Sequence, residues 1–139
     1  MTKQRIKGFT LIELMITIII LAIVTAIAYP SYVSFLLKSR RSDALATLVQ
    51  DQIMLEHCYA QNFSYQRCTS LPLFPQTSVQ GFYSITLTSL STTTYTLTAT
   101  PIGSQIEDTS CASMTVNQAN VKTALNSGGT AQTMCWSPT

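Results

Sequence analysis

Glu13 is the only charged side chain between Phe9 and Leu37, and 17 of the 21 residues from Phe9 to Tyr29 are apolar. A carboxylate inside a run of this kind costs about 3 kcal/mol at the centre of a membrane span unless a cation meets it. No Lys or Arg lies within the run. Two readings of the residue follow. If the chain is cut between Gly8 and Phe9, the new α-amino group lies four residues away, or is presented by a neighbouring subunit. Otherwise Glu13 sits one turn into a helix, at the interface, near the positive helix end. Apart from Glu13, the chemistry available is sparse: one histidine, His57, and no constellation of acids, bases or phosphate-binding glycines. A cytosolic enzyme is excluded on that count, and structural and binding roles remain.

The other reactive set is Cys58, Cys68, Cys111 and Cys135. An even number of cysteines in a small head argues for disulfides, because a short chain buries too little apolar surface to be comfortably stable alone. Three pairings exist. Cys58 with Cys68 and Cys111 with Cys135 close the shortest loops and are preferred. Zinc held by these cysteines and His57 is the competing assignment, though no Cys-x-x-Cys pair of structural-zinc spacing is present. Oxidised cysteines place the C-terminal part outside the cytoplasm.

The charge pattern agrees with this layout. Lys3, Arg5 and Lys7 precede the apolar block, and without them five Lys and Arg face six Asp and Glu. The basic start followed by an apolar run resembles a secretory signal, but the run is too long and leads into amphipathic helix; Ala26-Ile27-Ala28 is a poor cleavage site. Counting cations on either side, three in the leader against Lys38, Arg40 and Arg41, does not orient the span, and the cysteines do.

Pro30 follows the span and is expected to kink the helix without ending it. Leu36, Leu37, Ala44, Leu45, Leu48, Val49, Ile53, Leu55 and Tyr59 then recur at helical spacing, with Arg41, Asp43, Gln50, Asp51 and Glu56 between them. One helix is therefore expected from Phe9 to about Tyr59. At 1.5 Å per residue it is about 75 Å long, against about 30 Å for the apolar core of a bilayer. From Thr69 onward 26 of 71 residues are Ser or Thr, and only Glu107, Asp108 and Lys122 are charged. Tyr83, Ile85 and Leu87 alternate with polar neighbours, as do Tyr95, Leu97 and Ala99, and Met114 and Val116, which is strand patterning. Ser89–Thr93 and Asn117–Asn120 are the expected turns, the latter before a strand at Val121–Leu125. The expected class is α+β: a long N-terminal helix, membrane-spanning in its first half, packed on a small antiparallel sheet.

Gly8-Phe9-Thr10-Leu11-Ile12-Glu13-Leu14-Met15-Ile16 behind a basic leader, with Pro30 and Tyr32 beyond, resembles the prepilin signature of type IV pilins and type II secretion pseudopilins. The resemblance implies cleavage after Gly8 by prepilin peptidase, N-methylation of Phe9, and pairing of Glu13 with the Phe9 amine of an adjacent subunit during assembly. It implies a leader at 1–8, a helix at 9–60 with its membrane and polymerisation half at 9–37, and a head at 61–139. Further on, Tyr95-Thr96-Leu97-Thr98-Ala99-Thr100-Pro101, Asp108-Thr109-Ser110-Cys111, Met114-Thr115-Val116-Asn117-Gln118 and Cys135-Trp136 are similar to minor pilins of the PilE type. Cys111 and Cys135 match that family's C-terminal disulfide pair, and Trp136 is expected to pack over it. Ala22 and Asn120 stand where many relatives have Gly.

The role implied is a minor pilin, without enzymatic activity or cofactor, that joins other pilin subunits through its helix and contributes to pilus biogenesis, adhesion, twitching motility or DNA uptake. It would be inserted in the bacterial inner membrane, handled by the pilus assembly machinery, and then displayed in the extracellular fimbrium. A major pilin and a pilin that receives DNA or attaches to a host surface are the alternatives. A type II secretion pseudopilin fits less well, since no acidic loop suited to calcium is present. Lys38, Arg40 and Arg41 read as a solvated or interfacial segment, and Arg67 and Lys122 as isolated cations. The sequon Asn62-Phe63-Ser64 carries little weight in a bacterial chain.

Overall fold

The computed structural model describes residues 8–69 and 71–137. The expected leader, with Lys3, Arg5 and Lys7, lies outside them except for Gly8. The chain divides into two units, Met1–Phe35 and Leu36–Thr139.

A single helix, α1, runs Leu11–Asn62. Thr10 stands at its N-cap position and Glu13 three residues on, the Thr-x-x-Glu order that closes a capping box. The helix continues through Pro30, whose missing N–H removes one backbone bond and leaves the rest of the ladder in place. Within the first unit the apolar side chains have no cover: Phe9 is 78% exposed, and Leu11, Ile12, Ile19, Ile23 and Ile27 are all exposed. The hydroxyls there are turned back onto the helix, Thr17 donating to the Leu14 carbonyl at 2.7 Å and Thr25 to the Leu21 carbonyl at 2.9 Å. The surface that remains is hydrocarbon, and the helix is long and apolar enough to cross a membrane.

The second unit holds the core. Five strands follow α1: β1 Gln76–Thr77, β2 Tyr83–Thr88, β3 Thr96–Pro101, β4 Ser113–Asn117 and β5 Lys122–Leu125. They form one antiparallel sheet in chain order. Period-two alternation sends Tyr83 and Ile85, Leu97 and Ala99, Met114 and Val116, and Ala124 to one face. There they are buried together with Ala44, Leu48 and Leu55 of α1. This is the expected α+β architecture of a long helix on an antiparallel sheet. Tyr95, just ahead of β3, adds to the core beside Tyr65, their rings 4.8 Å apart and edge to face.

The expected helix stripe needs correction. Val49 and Ile53 are exposed, while Arg41, Asp43, Thr47 and Asp51 are buried. Ala44, Thr47, Leu48, Asp51, Leu55 and Cys58 recur at steps of three and four residues and form the true inner face. Two polar residues in that series disguised it; Val49 lies one residue, about 100°, beyond Leu48, and Ile53 lies two residues from both Asp51 and Leu55, on the opposite side of the helix. The Asn117–Asn120 turn behaves as expected, with Asn120 in the left-handed region at φ 54° and the Asn117 side chain accepting from the amides of Ala119 and Val121, both at 3.0 Å. The two-residue β1 carried no strand pattern.

Candidate functional site

Two surfaces carry the chemistry. The first is the start of α1. The Glu13 carboxylate accepts from the Thr10 hydroxyl at 2.8 Å and from the Thr10 amide at 3.2 Å. In return the Glu13 amide donates to the Thr10 hydroxyl at 3.4 Å. Thr10 and Glu13 thus satisfy helix-start donors reciprocally and hold a carboxylate at the positive end of the helix. Gly8 and Phe9 precede this box and are exposed. A negative group, fixed in position one turn from the Gly8-Phe9 bond and set in an uncovered hydrocarbon surface, is suited to receive an amine.

The second surface is the head. Its frame is held by two disulfides, Cys58–Cys68 and Cys111–Cys135. With all four cysteines paired, no thiolate remains for zinc, and the metal reading falls. Among the described residues no three His, Cys, Asp or Glu side chains converge on one point. His57 is exposed and lines a shallow groove beside Val49, Ile53 and Lys122.

The charges of the head sort by burial. Leu36 onward contains five Lys and Arg and five Asp and Glu, a formal balance of zero. Arg41 is buried, contrary to the expectation of a solvated cation, and makes a two-pronged ion pair with Asp108 at 2.7 and 2.8 Å. Gln105 donates from its amide to the Leu37 carbonyl and the Tyr83 hydroxyl, both at 3.0 Å, and ties that pair to α1 and β2. Asp43 accepts from the Ser78 hydroxyl and from the Gln80 amide at 3.0 Å, fixing the loop before β2. Asp51 accepts from the Gln76 amide at 2.7 Å, and burial pushes its pKa above the ordinary aspartate value. Burial likewise raises the hydroxyls of Tyr83 and Tyr95 to about 12. What stays at the surface is Lys38, Arg40, Arg67 and Lys122 against Glu56 and Glu107. Glu56 in turn accepts from Tyr65 at 2.9 Å and Tyr95 at 3.1 Å. The folded head therefore presents a basic surface that its composition conceals.

Arg40 is half-buried, its guanidinium 4.3 Å from the Phe82 ring centroid and donating to Ser104 at 3.1 Å. Trp136 is half-buried against the core cluster that contains both Cys111 and Cys135, and its indole N–H donates to the Thr123 carbonyl at 3.0 Å. Ser64 of the sequon is buried, and the Asn62 amide donates to the Cys58 carbonyl at 3.1 Å. Sequence reasoning missed Asp43, Gln105, Asp108 and the Arg41 pairing. Charged residues far apart in sequence carry no periodic signal that would join them.

An uncovered apolar helix that continues into a disulfide-closed antiparallel head defines a pilin. Residues 3–29 match the prokaryotic N-terminal methylation motif, and residues 30–115 match the family described as type IV minor pilin ComP, DNA uptake sequence receptor. The chain belongs to that type IV minor pilin family, whose members are structural pilins. It is 43% identical over 68 residues to prepilin peptidase-dependent protein D of Escherichia coli (strain K12), covering 49% of this chain and 45% of that protein. It is 37% identical over 66 residues to the type IV major fimbrial protein FimA of Dichelobacter nodosus, covering 48% of this chain and 41% of that one. The chain thus spans under half the length of these relatives. In fold it resembles the non-core minor pilin PilV of Neisseria meningitidis, with a TM-score of 0.56 at 19% identity over 70% of this chain and 95% of that one.

Proposed function

We propose that this chain is a subunit of a type IV pilus, made as a precursor whose residues 1–8 are removed by prepilin peptidase after Gly8, with Phe9 then N-methylated. The apolar segment 9–37 holds it in the bacterial inner membrane until the assembly machinery builds it into a filament, helix against helix. The observation that carries this reading is the largely hydrocarbon surface from Phe9 to Phe35, left without cover and carrying the Glu13 carboxylate as its one charge. Each subunit entering the bundle buries that surface, and Glu13 meets the Phe9 amine of its neighbour, which offsets the cost of a carboxylate in hydrocarbon. Mass spectrometry of sheared filaments tests this. A methylated Phe9 peptide at low abundance relative to other pilins is the expected result, dominance would make the chain a major pilin, and an intact Met1–Gly8 segment found only in membranes would defeat the proposal. Glu13→Ala should insert normally and be lost from filaments; normal incorporation would remove the role given to Glu13.

A second role, reception of DNA by the head, is favoured by the family's description and by the surface excess of cations over carboxylates. Phosphates gain from each cation brought to them. The fragment from Leu36 onward contains the whole core and both disulfides, so its binding to duplex DNA can be measured without the membrane segment. No binding at low salt would count against this role.

A further inference from the structure

A pocket of about 530 Å³ opens where β4 and β5 meet the C-terminal segment. Leu125 and Ala131 contribute apolar surface, Trp136 an aromatic one, and Thr115, Thr123, Gln132 and Thr133 bring hydroxyls and an amide. The indole is held in place: its N–H donates to the Thr123 carbonyl at 3.0 Å, and the neighbouring Cys135 is tied to Cys111. The segment carrying these groups is itself pinned to the edge of β5, the Gln132 amide donating to the Ala124 carbonyl at 2.8 Å and the Asn126 amide to the Thr130 carbonyl at 3.0 Å. The site is thus formed before any ligand arrives, at a volume usual for small-molecule clefts. Its sole charge is Lys122, whose ammonium lies 5.5 Å from the indole centroid.

These linings exclude most ligand classes. A purely apolar molecule would leave the hydroxyls and the amide without partners. A cation would find no carboxylate among the nine lining residues. A polyanion gains affinity from several cations acting together, and here there is one. What fits is a ring with an apolar face for the indole and a perimeter of hydroxyls for Thr and Gln. We propose that this pocket binds a saccharide ring, stacked on Trp136 and hydrogen-bonded by Gln132 and the surrounding threonines, with Lys122 favouring a sugar that bears one carboxylate.

The outer face of the sheet extends the site. Thr86, Thr98, Thr115 and Thr123 stand in register across β2 to β5, at the strand spacing of about 4.8 Å. Two of these hydroxyls, on Thr98 and Thr115, lie 3.4 Å apart. This uncharged row leads into the pocket and gives further sugar units of an oligosaccharide hydroxyl partners beyond the first.

Trp136 is the chain's only tryptophan, so its emission reports on the pocket alone. The full chain in a detergent without a sugar headgroup would be titrated with methyl glycosides of glucose, galactose, N-acetylglucosamine, N-acetylgalactosamine, glucuronic acid, galacturonic acid and N-acetylneuraminic acid, and with a short DNA duplex. A saturable change with at least one glycoside is expected. Gln132→Ala should weaken that binding by about tenfold, the loss of one hydrogen bond, and Lys122→Met should weaken acidic sugars more than neutral ones. Silence with every glycoside would overturn the proposal. A response to the duplex alone would overturn it in favour of nucleic acid.

Discussion

Arg41 and Asp108 show how far one buried pair can matter. Each is about 4% exposed, and their two short bonds join the helix to the segment between β3 and β4. Removing one partner strands a charge in the interior, so Arg41→Ala should lower stability by about 3–5 kcal/mol, whereas Arg41→Met with Asp108→Leu should cost far less. Chemical unfolding of the head, followed by circular dichroism, checks both. Asp51 behaves in the opposite sense. Its folded pKa is raised by burial above the ordinary aspartate value, so the native state binds its proton more tightly than the unfolded state does. Stability from this group therefore falls as pH rises from about 4 through the raised pKa, and stays lower above it. Asp51→Asn should flatten that part of the pH profile and leave stability at neutral pH equal or higher. A decrease at neutral pH would mean that the Gln76 hydrogen bond outweighs desolvation.

At the scale of elements, the two disulfides do different work. Cys58–Cys68 closes ten residues and holds the turn after α1, whereas Cys111–Cys135 closes 24 and holds the segment lying along β5. That segment covers an edge strand that would otherwise offer free backbone groups for pairing with another chain. Loop-closure entropy assigns about 2.7 kcal/mol to the first bridge and about 3.4 kcal/mol to the second. Serine replacement of Cys111 and Cys135 should therefore cost slightly more stability than replacement of Cys58 and Cys68, and it alone should promote self-association of the head, read by light scattering. The helix stripe teaches a related point. Val49 and Ile53 looked internal and are external, because Thr47 and Asp51 take the inner face and meet polar partners across the core.

Taken as a whole, the head has a formal charge of zero and a basic exterior, since three carboxylates and one guanidinium are buried. If two to four of the surface cations meet phosphates, log K for duplex DNA should fall against log salt with a slope of about −2 to −4. Measuring that slope on the head checks the account, and replacing Arg67 and Lys122 together should reduce it if those residues take part. Affinity indifferent to salt would mean that charge is not what attracts DNA to this surface.

The sequence alone determined the long apolar helix, the strand pattern and the prepilin-like start, because these depend on local periodicity and on residues adjacent in the chain. It also favoured the two disulfides, since short loops cost least to close. The fold class was legible for the same reason: an apolar helix stripe and three alternating runs have few ways to cover one another. Which charges are hidden was settled by packing, since Arg41 meets Asp108 across 67 positions and Ser78 meets Asp43 across 35. It also decided that Trp136, Gln132 and Thr115 share one pocket. Such meetings depend on how helix, sheet and C-terminal segment pack together, and no repeat in the chain encodes them.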